Sequence, residues 1–380
     1  MMDDQAFRTP GQLILALMQA KGWSRRSFAI ILGVSEATVT RITTDKQGVD
    51  ARLSIVLEEL FGVPAERFLS LQKELDLAQA RLVTQPDPAR ATRALVFGEL
   101  PVSEMIERGW LRAESVRDMV AVERELMRFF GVNRLEDIQA SPHAARKSDA
   151  TTPATPAQTA WIRRVTSIAE NMIAPKFSAE KLRSALPKLK ELMIAPEETR
   201  KVSRFLTECG IRFVLVETLS SAKIDGVCLW LDDKTPVIGM STRYDRIDNF
   251  WFVLRHEIEH VLQGHGKAEP MLDAELEGER AGTAAAVPDE ERVANVAAAD
   301  FGVPQAKMDA FIARKSPLFS EPDLRGFARI LRVHPGIVAG QLQNRTGRFH
   351  IFRAHLAKIR SNVMPSAMVD GWGTIAPLGN

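Results

Sequence analysis

The sequence predicts a mainly α-helical protein with an α+β C-terminal domain, and three observations predict it. The first 85 residues are a close succession of short, capped helical segments. Three apolar, β-branched runs lie between about residues 211 and 241. The stretch RHEIEHVLQGH, Arg255 to His265, then places three of the chain's seven histidines on an apolar-periodic helix.

With 380 residues, 45% hydrophobic and 26% charged, the chain can bury a sizeable core and divide into two or three domains. Its two cysteines, Cys209 and Cys228, exclude a disulfide framework or a cysteine zinc cluster. They are expected to be small buried hydrophobes in a reducing, cytoplasmic setting. No apolar run reaches transmembrane length, and the opening MMDDQAFRTP is acidic and polar, unlike a secretion signal, so no membrane partner is expected. The net charge of +2 selects no partner. Leu324 to Val369 holds eight Lys/Arg and no acid, either a solvated face or a surface for an anion.

Taken in order, GQLILALMQAKG carries Leu13, Leu17 and Met18 at helical spacing and closes on Gly22. Ser24 caps a helix ending at Gly33, and Ser35 caps the next only two residues later. DARLSIVLEELFG and PAERFLSLQKELDLAQARL follow, the second with Pro64 in its first turn, completing a domain over 1–85. Residues 86–138 form a helical middle segment, with PVSEMIERG and RAESVRDMVAVERELMRFFG as its clearest helices. Residues 139–158, rich in Ala, Thr, Ser and Pro, are expected to be a linker. The domain over 159–362 opens with helices to about Cys209. The strands IRFVLVETL, VCLWLDD and TPVIGMS come next, the first two separated by the turn signal Asp225-Gly226. Helices are predicted from Asp248 to Gln263 and from Pro288 to Phe301. Residues 363–380 are expected to be a loosely ordered tail.

SRRSFAIILGVSEATVTRI has the spacing of a helix-turn-helix, with the turn at Gly33-Val34. Ser35, Glu36, Thr38, Thr40 and Arg41 fall on the start and outer face of its second helix, where base edges would be met. Arg25 and Arg26, on the preceding helix, suit phosphates. Lys21 to Arg52 holds six basic residues against three acids, a modest surplus. The alternative is a helical bundle that mediates protein contacts only.

Composition alone produces His-Glu-x-x-His in such a chain about one time in a hundred. On a helix, His256 and His260 are i, i+4 neighbours whose Cβ atoms lie roughly 5–6 Å apart. Their imidazoles can meet one zinc ion at ~2.0–2.1 Å. Glu257 can reach a zinc-activated water without being a ligand and accept its proton as a peptide carbonyl is attacked. Phe250, Leu254, Ile258, Val261 and Leu262 form an apolar stripe opposite. Downstream, PDEERVANVAAADFGVP offers Glu291 as third ligand and Asn295 as a residue orienting a zinc histidine. Glu290, one residue away in helix phase, is the rival ligand. Ala294 and Ala298 are small enough for close helix packing. His265 follows His260 by five residues, without the glycine turn that sets a third ligand six residues on, and is expected on the surface or substrate side. Tyr244, the only tyrosine, is either an oxyanion hydrogen-bond donor or a packing residue. His334, His350 and His355 are expected to be ordinary.

These residues resemble the ImmA/IrrE family of metallopeptidases over about residues 160–360. The likeness rests on GIRFVLVETL through PVIGMS into the histidine helix, on EERVANVAAADFGVP, and on LRVHPGIVAGQLQNRTG. It implies a zincin-like fold, one Zn2+ per chain held by His256, His260 and Glu291, and Glu257 as general base. The chain departs from the family at Glu259, usually a small residue, and at Arg255, usually apolar. Glu259 is expected to point away from the metal, or else to crowd the cleft or rearrange ligation. The first 85 residues resemble the Xre/HigA-type helix-turn-helix of antitoxins and phage-like repressors, with Thr44-Asp45 where that family usually has Asn-Gly.

The expected function is a cytoplasmic, DNA-binding transcriptional regulator of repressor or antitoxin type. Its zinc peptidase domain would cleave itself or a partner regulator, a repressor or toxin, and its N-terminal domain would bind duplex operator DNA as a homodimer. Two alternatives stand beside it. One is a non-catalytic repressor or antitoxin whose peptidase-like half is a sensor or protein-binding module. The other is a peptidase whose N-terminal helices recognise a protein substrate.

Overall fold

Polar caps set most helix starts in the N-terminal part of the chain. Thr9, Ser24, Ser35 and Asp50 each accept a backbone N–H from the first turn of α1 (Pro10–Ala20), α2 (Arg25–Leu32), α3 (Glu36–Thr43) and α4 (Ala51–Phe61). Helix α5 (Ala65–Val83) follows Pro64. Gly33, at φ 68°, ends α2 in the left-handed region that glycine adopts without strain, so α3 begins two residues later. Ile14, Phe28, Val39, Leu57 and Phe68 close the core of these five helices. Asp45 ties the end of α3 to the start of α1. Its carboxylate, leaving α3, accepts the Gly11 N–H at 2.8 Å and the Thr9 hydroxyl at 2.6 Å, at the positive end of α1.

The computed structural model describes residues 7–84, 87, 90–138, 146–147, 154–273, 288–363 and 368–370. The chain forms two units, Met1–Pro88 and Ala89–Asn380. The second is built on a mixed sheet. Among the described residues it has six strands in the order β1-β5-β3-β4-β2-β6. These are β1 (Arg146–Lys147), β2 (Arg212–Val216), β3 (Gly226–Trp230), β4 (Pro236–Met240), β5 (Met271–Asp273) and β6 (Met368–Asp370).

Alternation along the strands sends side chains into two cores. Val214, Val216, Val227, Leu229, Val237 and Leu272 face α9 (Pro156–Glu170) together with α6 (Arg90–Glu99), α7 (Val102–Glu107) and α8 (Met119–Phe130). Phe213, Leu215, Cys228, Ile238, Met240 and Met271 face the other layer. That layer holds α10 (Ala179–Glu191), α11 (Val202–Glu208), α12 (Ile247–Gln263), α13 (Asp289–Gly302), α14 (Gln305–Lys315), α15 (Glu321–Leu331) and α16 (Pro335–Thr346); the short α17 (Arg360–Val363) closes it. Helix α12 lies at the centre of this layer, between the sheet, α13 and α16. Gly340 makes the α16 crossing close, since a Cβ there would stand 1.9 Å from Asp248 Oδ2. The protein is thus mainly helical with one mixed sheet.

Four expectations change. Residues 90–138 are not a separate segment, because Val102, Met105, Trp110 and Leu126 share one core with Trp161 and Val214. The expected linker contributes a strand and a helix start. Arg146–Lys147 pairs in parallel with Met271–Leu272, and Thr155 and Gln158 form a capping box at the Pro156 start of α9. The rest of that stretch, up to residue 153, lies outside the described residues. The expected loose tail contributes β6, held by a hydrogen bond from Glu217 N to Asp370 O at 2.8 Å and by an ion pair between Arg164 and buried Asp370. Finally, Asp225-Gly226 is not the turn of a β2–β3 hairpin. Strand β4 lies between the two, parallel to β2, and the tight hairpin is β3–β4. Its turn is set by Asp232, which accepts the Lys234 N–H at 2.8 Å. Among the described residues, no helix is long and apolar enough to cross a membrane.

Asp370→Ala removes the partner of a largely buried arginine and an anchor of the β6 edge. The expected loss of stability is about 3–5 kcal/mol in urea or thermal unfolding. A change near zero would show that Arg164 and β6 are held by other contacts.

Candidate metal centre

Three elements converge on one point beneath the sheet. Helix α12 presents His256 and His260, α13 presents Glu291, and the last residue of β5 presents Asp273; all four are at most 1% exposed. Packing of α13 on α12 is what brings Glu291 in, through buried Ala294 and Ala298. Each residue offers one donor atom, and these atoms lie within 4.8 Å of one another.

The distances can be set against a metal's requirements. A tetrahedral ion bound at ~2.0–2.2 Å by nitrogen and oxygen needs donor atoms about 3.3–3.6 Å apart. His256 Nε2 lies 2.9 Å from His260 Nε2, 3.2 Å from Asp273 Oδ2 and 3.3 Å from Glu291 Oε2. His260 Nε2 lies 3.5 Å from Glu291 Oε1 and 4.0 Å from Asp273 Oδ2. These values straddle the tetrahedral edge. The chemistry fits too, because both carboxylate oxygens of Glu257, Asp273 and Glu291 are buried without a hydrogen-bond partner. Three such carboxylates in a dry site need positive charge. The residues therefore fit a divalent cation.

Without that cation, protons take its place. Burial works against charge on His256, but the Asp273 and Glu291 carboxylates outweigh it and raise the imidazole to about 10. Burial, with Asp273 and Glu291 nearby, pushes the Glu257 carboxyl well above its ordinary range. Burial opposes charge on Asp273 as well, yet the two imidazoles hold it down at about 2.

Glu257 is fully buried on the same helix, and its neighbour across the sheet is a glycine for a physical reason. A Cβ on Gly226 would stand 2.1 Å from Glu257 Oε1. Gly226 is thus the floor under this carboxylate, a role the turn reading of Asp225-Gly226 missed.

His265 is the second residue that sequence reasoning misplaced. Gly264, at φ 75°, does turn the chain, and His265 N–H closes back on His260 O at 2.9 Å. This sets His265 Nδ1 at 2.9 Å from His260 Nδ1. The direction of this hydrogen bond depends on the tautomer; with a metal on His260 Nε2, its Nδ1–H would donate to His265, the kind of contact that orients a metal-ligating imidazole. Trp230 Nε1–H anchors His265 by its carbonyl at 2.8 Å. Asn295, expected in the orienting role, is half-buried on α13 and makes no hydrogen bond to either histidine among the described residues. Glu290 is exposed, so the helix phase selects Glu291.

The two departures from the resembled family satisfy one another. Arg255 Nη2 donates to Glu259 Oε2 at 2.8 Å, and Gln263 Nε2 donates to Glu259 Oε1 at 2.6 Å. Burial alone would raise the Glu259 carboxyl, but these hydrogen bonds and the Arg255 charge hold it below its ordinary value. Arg255 also lies over the Phe301 ring, 5.8 Å from its centroid. Glu259 is therefore turned to its own helix, away from the donor set. The expected apolar stripe was too narrow a picture, since α12 is buried from Ile247 to Val261 apart from half-buried Phe252.

Tyr244 is half-buried in the turn before α12, its ring 4.9 Å from the Arg243 guanidinium. In the N-terminal unit, Arg25, Arg26, Ser35, Glu36 and Arg41 are exposed, and Thr38 and Thr40 half-buried. Ser35 Oγ accepts the Thr38 N–H, its hydroxyl pairs with that of Thr38 at 2.9 Å, and the Thr40 hydroxyl donates to Glu36 O at 2.9 Å. Compared with known protein families and with curated protein sequences, the chain matches none.

The raised His256 contributes stability that is complete below its ordinary 6.5 and lost as pH climbs through about 10. Glu257, also raised, acts with the same sign. The melting temperature of metal-free protein should therefore fall from neutral to alkaline pH, and zinc binding should release protons and tighten over that range. Calorimetric melts, and titrations in buffers of different ionisation enthalpy, measure both. Metal-free protein that gains stability as pH rises past neutrality would contradict the assignment.

Proposed function

We propose that the chain is a DNA-binding transcriptional regulator whose C-terminal half holds one Zn2+ at a His-Glu-x-x-His site with peptide-hydrolysing chemistry. The observation that carries this reading is the convergence of His256, His260 and Glu291, from two helices, with Glu257 beside them on the first. Bound zinc would acidify water and polarise a peptide carbonyl. His256, His260 and Glu291 would hold the ion, and His265 would orient His260. Glu257 would hold the proton given up by the attacking water and deliver it to the leaving amine. Its raised pKa in the metal-free site suits a group that must carry a proton.

The regulatory part rests on α2 and α3, two short helices joined at Gly33 like a helix-turn-helix, with Arg25, Arg26 and Arg41 exposed. With the hydroxyls of Thr38 and Thr40 bonded within their own helix, base reading there would fall to their methyls and lone pairs and to Arg41. The ImmA/IrrE and Xre/HigA resemblances agree with this pairing of halves. A second reading, a regulator whose C-terminal half binds metal or protein without hydrolysis, is favoured by one observation: Asp273 is a fourth donor.

Glu257→Gln should keep the zinc and the fold while lowering peptide hydrolysis by about 10²-fold or more. Metal analysis and cleavage of candidate regulators, the chain itself included, measure this. Cleavage at the wild-type rate would remove Glu257 from the chemistry.

For DNA, dimers would read two half-sites roughly 34 Å apart. Replacing Arg25 and Arg26 by alanine should weaken binding to all duplexes alike and reduce the salt slope by about two. Thr38→Ala should instead relax preference for the protein's own promoter. Fluorescence anisotropy at several salt concentrations separates the two. Equal wild-type affinity for promoter and scrambled DNA would favour a protein-contact role for these helices.

A further inference from the structure

Asp273 has no counterpart in the sequence reading, which assigned three protein ligands and left one position for water. In the fold it is the terminal residue of β5, held in register with Gly226 and by the Asp225 N–H to its carbonyl at 2.9 Å. Its backbone is thereby fixed while its buried carboxylate faces His256 and His260. That carboxylate lies 3.2 Å from His256 Nε2, nearly the same as Glu291 at 3.3 Å. Toward His256 it matches Glu291, while His260 Nε2 lies 4.0 Å from it and 3.5 Å from Glu291.

Two further observations bear on what this does to the site. A hydrolytic zinc has three protein ligands and an open fourth position, whereas a closed, four-ligand site is structural. Here four protein donors lie within 4.8 Å of one another, with histidine–carboxylate separations of 3.2–4.0 Å. All of them, and Glu257, are at most 1% exposed, so the donor atoms are enclosed among the described residues.

We propose that Asp273 is the fourth protein ligand of the metal and stands on the vertex that a hydrolytic zinc leaves to water, so that the site as folded is a closed state and hydrolysis requires Asp273 to leave. This rests on the metal-binding reading above and adds its regulation. His256, His260 and Glu291 would go on holding the cation without Asp273, and the metal would then supply an activated water to Glu257 beside it. No other group is consumed. The strand that ends in Asp273, not the histidine helix, is then the element through which a signal or partner would act.

The full-length chain with cobalt in place of zinc tests this, using azide as an external ligand and pH as a second probe. Wild type should bind one cobalt per chain and show an intense four-coordinate visible spectrum that neither azide nor pH between 6 and 9 alters. Asp273→Asn, which keeps the size and the strand pairing, and Asp273→Ala should still bind one cobalt. Their spectra should shift with azide and titrate with a midpoint near ~7, as an exposed metal-held water does. With zinc restored, both variants should hydrolyse a peptide library at least tenfold faster than wild type. A wild-type spectrum that responds to azide as the variants do would overturn the proposal, because the vertex would already be open. Variant spectra identical to wild type, with full metal, would overturn it as well. Failure of wild type to take up cobalt or zinc would instead overturn the metal centre itself, a result distinct from either.

Discussion

Three buried carboxylates and two imidazoles within one dry site set the constraint on which the rest of this molecule depends. Taking even one ion out of water is costly, and a cluster with several like charges persists only if positive charge enters it. In the metal-free protein the carboxylates raise His256 to about 10, and burial beside them raises Glu257, so protonation of both is favoured. A divalent cation would meet the same demand with one ion, held among donor atoms that lie within 4.8 Å of one another. The donor spacings already suit that ion, so little backbone rearrangement is needed to receive it.

Holding that cluster explains much of the surrounding architecture. Helix α12 must be enclosed on all sides, and the fold supplies a sheet above it, α13 beside it and α16 across its start. Each of these close approaches falls on a small residue: Gly226 of the sheet against Glu257, Gly340 against Asp248, and Ala294 and Ala298 on α13. Where a large polar residue intrudes on α12 itself, it is matched locally. Arg255 and Glu259 form an i, i+4 ion pair that leaves neither side chain aimed at the metal position. The pair is 10% and 12% exposed, so loss of either partner would leave a largely buried charge without its counterpart.

The enclosed state has a functional consequence. A site that buries every donor is suited to retaining a metal, while turnover needs a path for substrate and a place for water. The N-terminal unit, built on caps and a small core, presents its basic residues to solvent and shares none of this constraint. On the proposals above, regulation in the C-terminal unit would turn on how firmly β5 keeps its terminal carboxylate in place.

Local chemistry was legible in the sequence because it depends on residues near in the chain. Helix starts at Ser24, Ser35 and Asp50, the left-handed turn at Gly33, and the placing of His256, Glu257 and His260 on one helix all follow from i, i+3 and i+4 geometry. Glu291 could be selected because the α13 period carries Ala294 three residues later to the same buried face. The capping box at Thr155 was equally local, and composition masked it. What only the tertiary structure decided depends on contacts between distant segments. Strand order placed β4 between β2 and β3, and pairing drew residues 146–147 and 368–370 into the sheet. The same pairing carried Asp273 to the metal position from 13 residues beyond His260, with no periodic link to it. No helical or strand repeat connects such residues, because their proximity is set by which strands find each other's backbone hydrogen bonds, and that pairing leaves no mark on spacing in the chain.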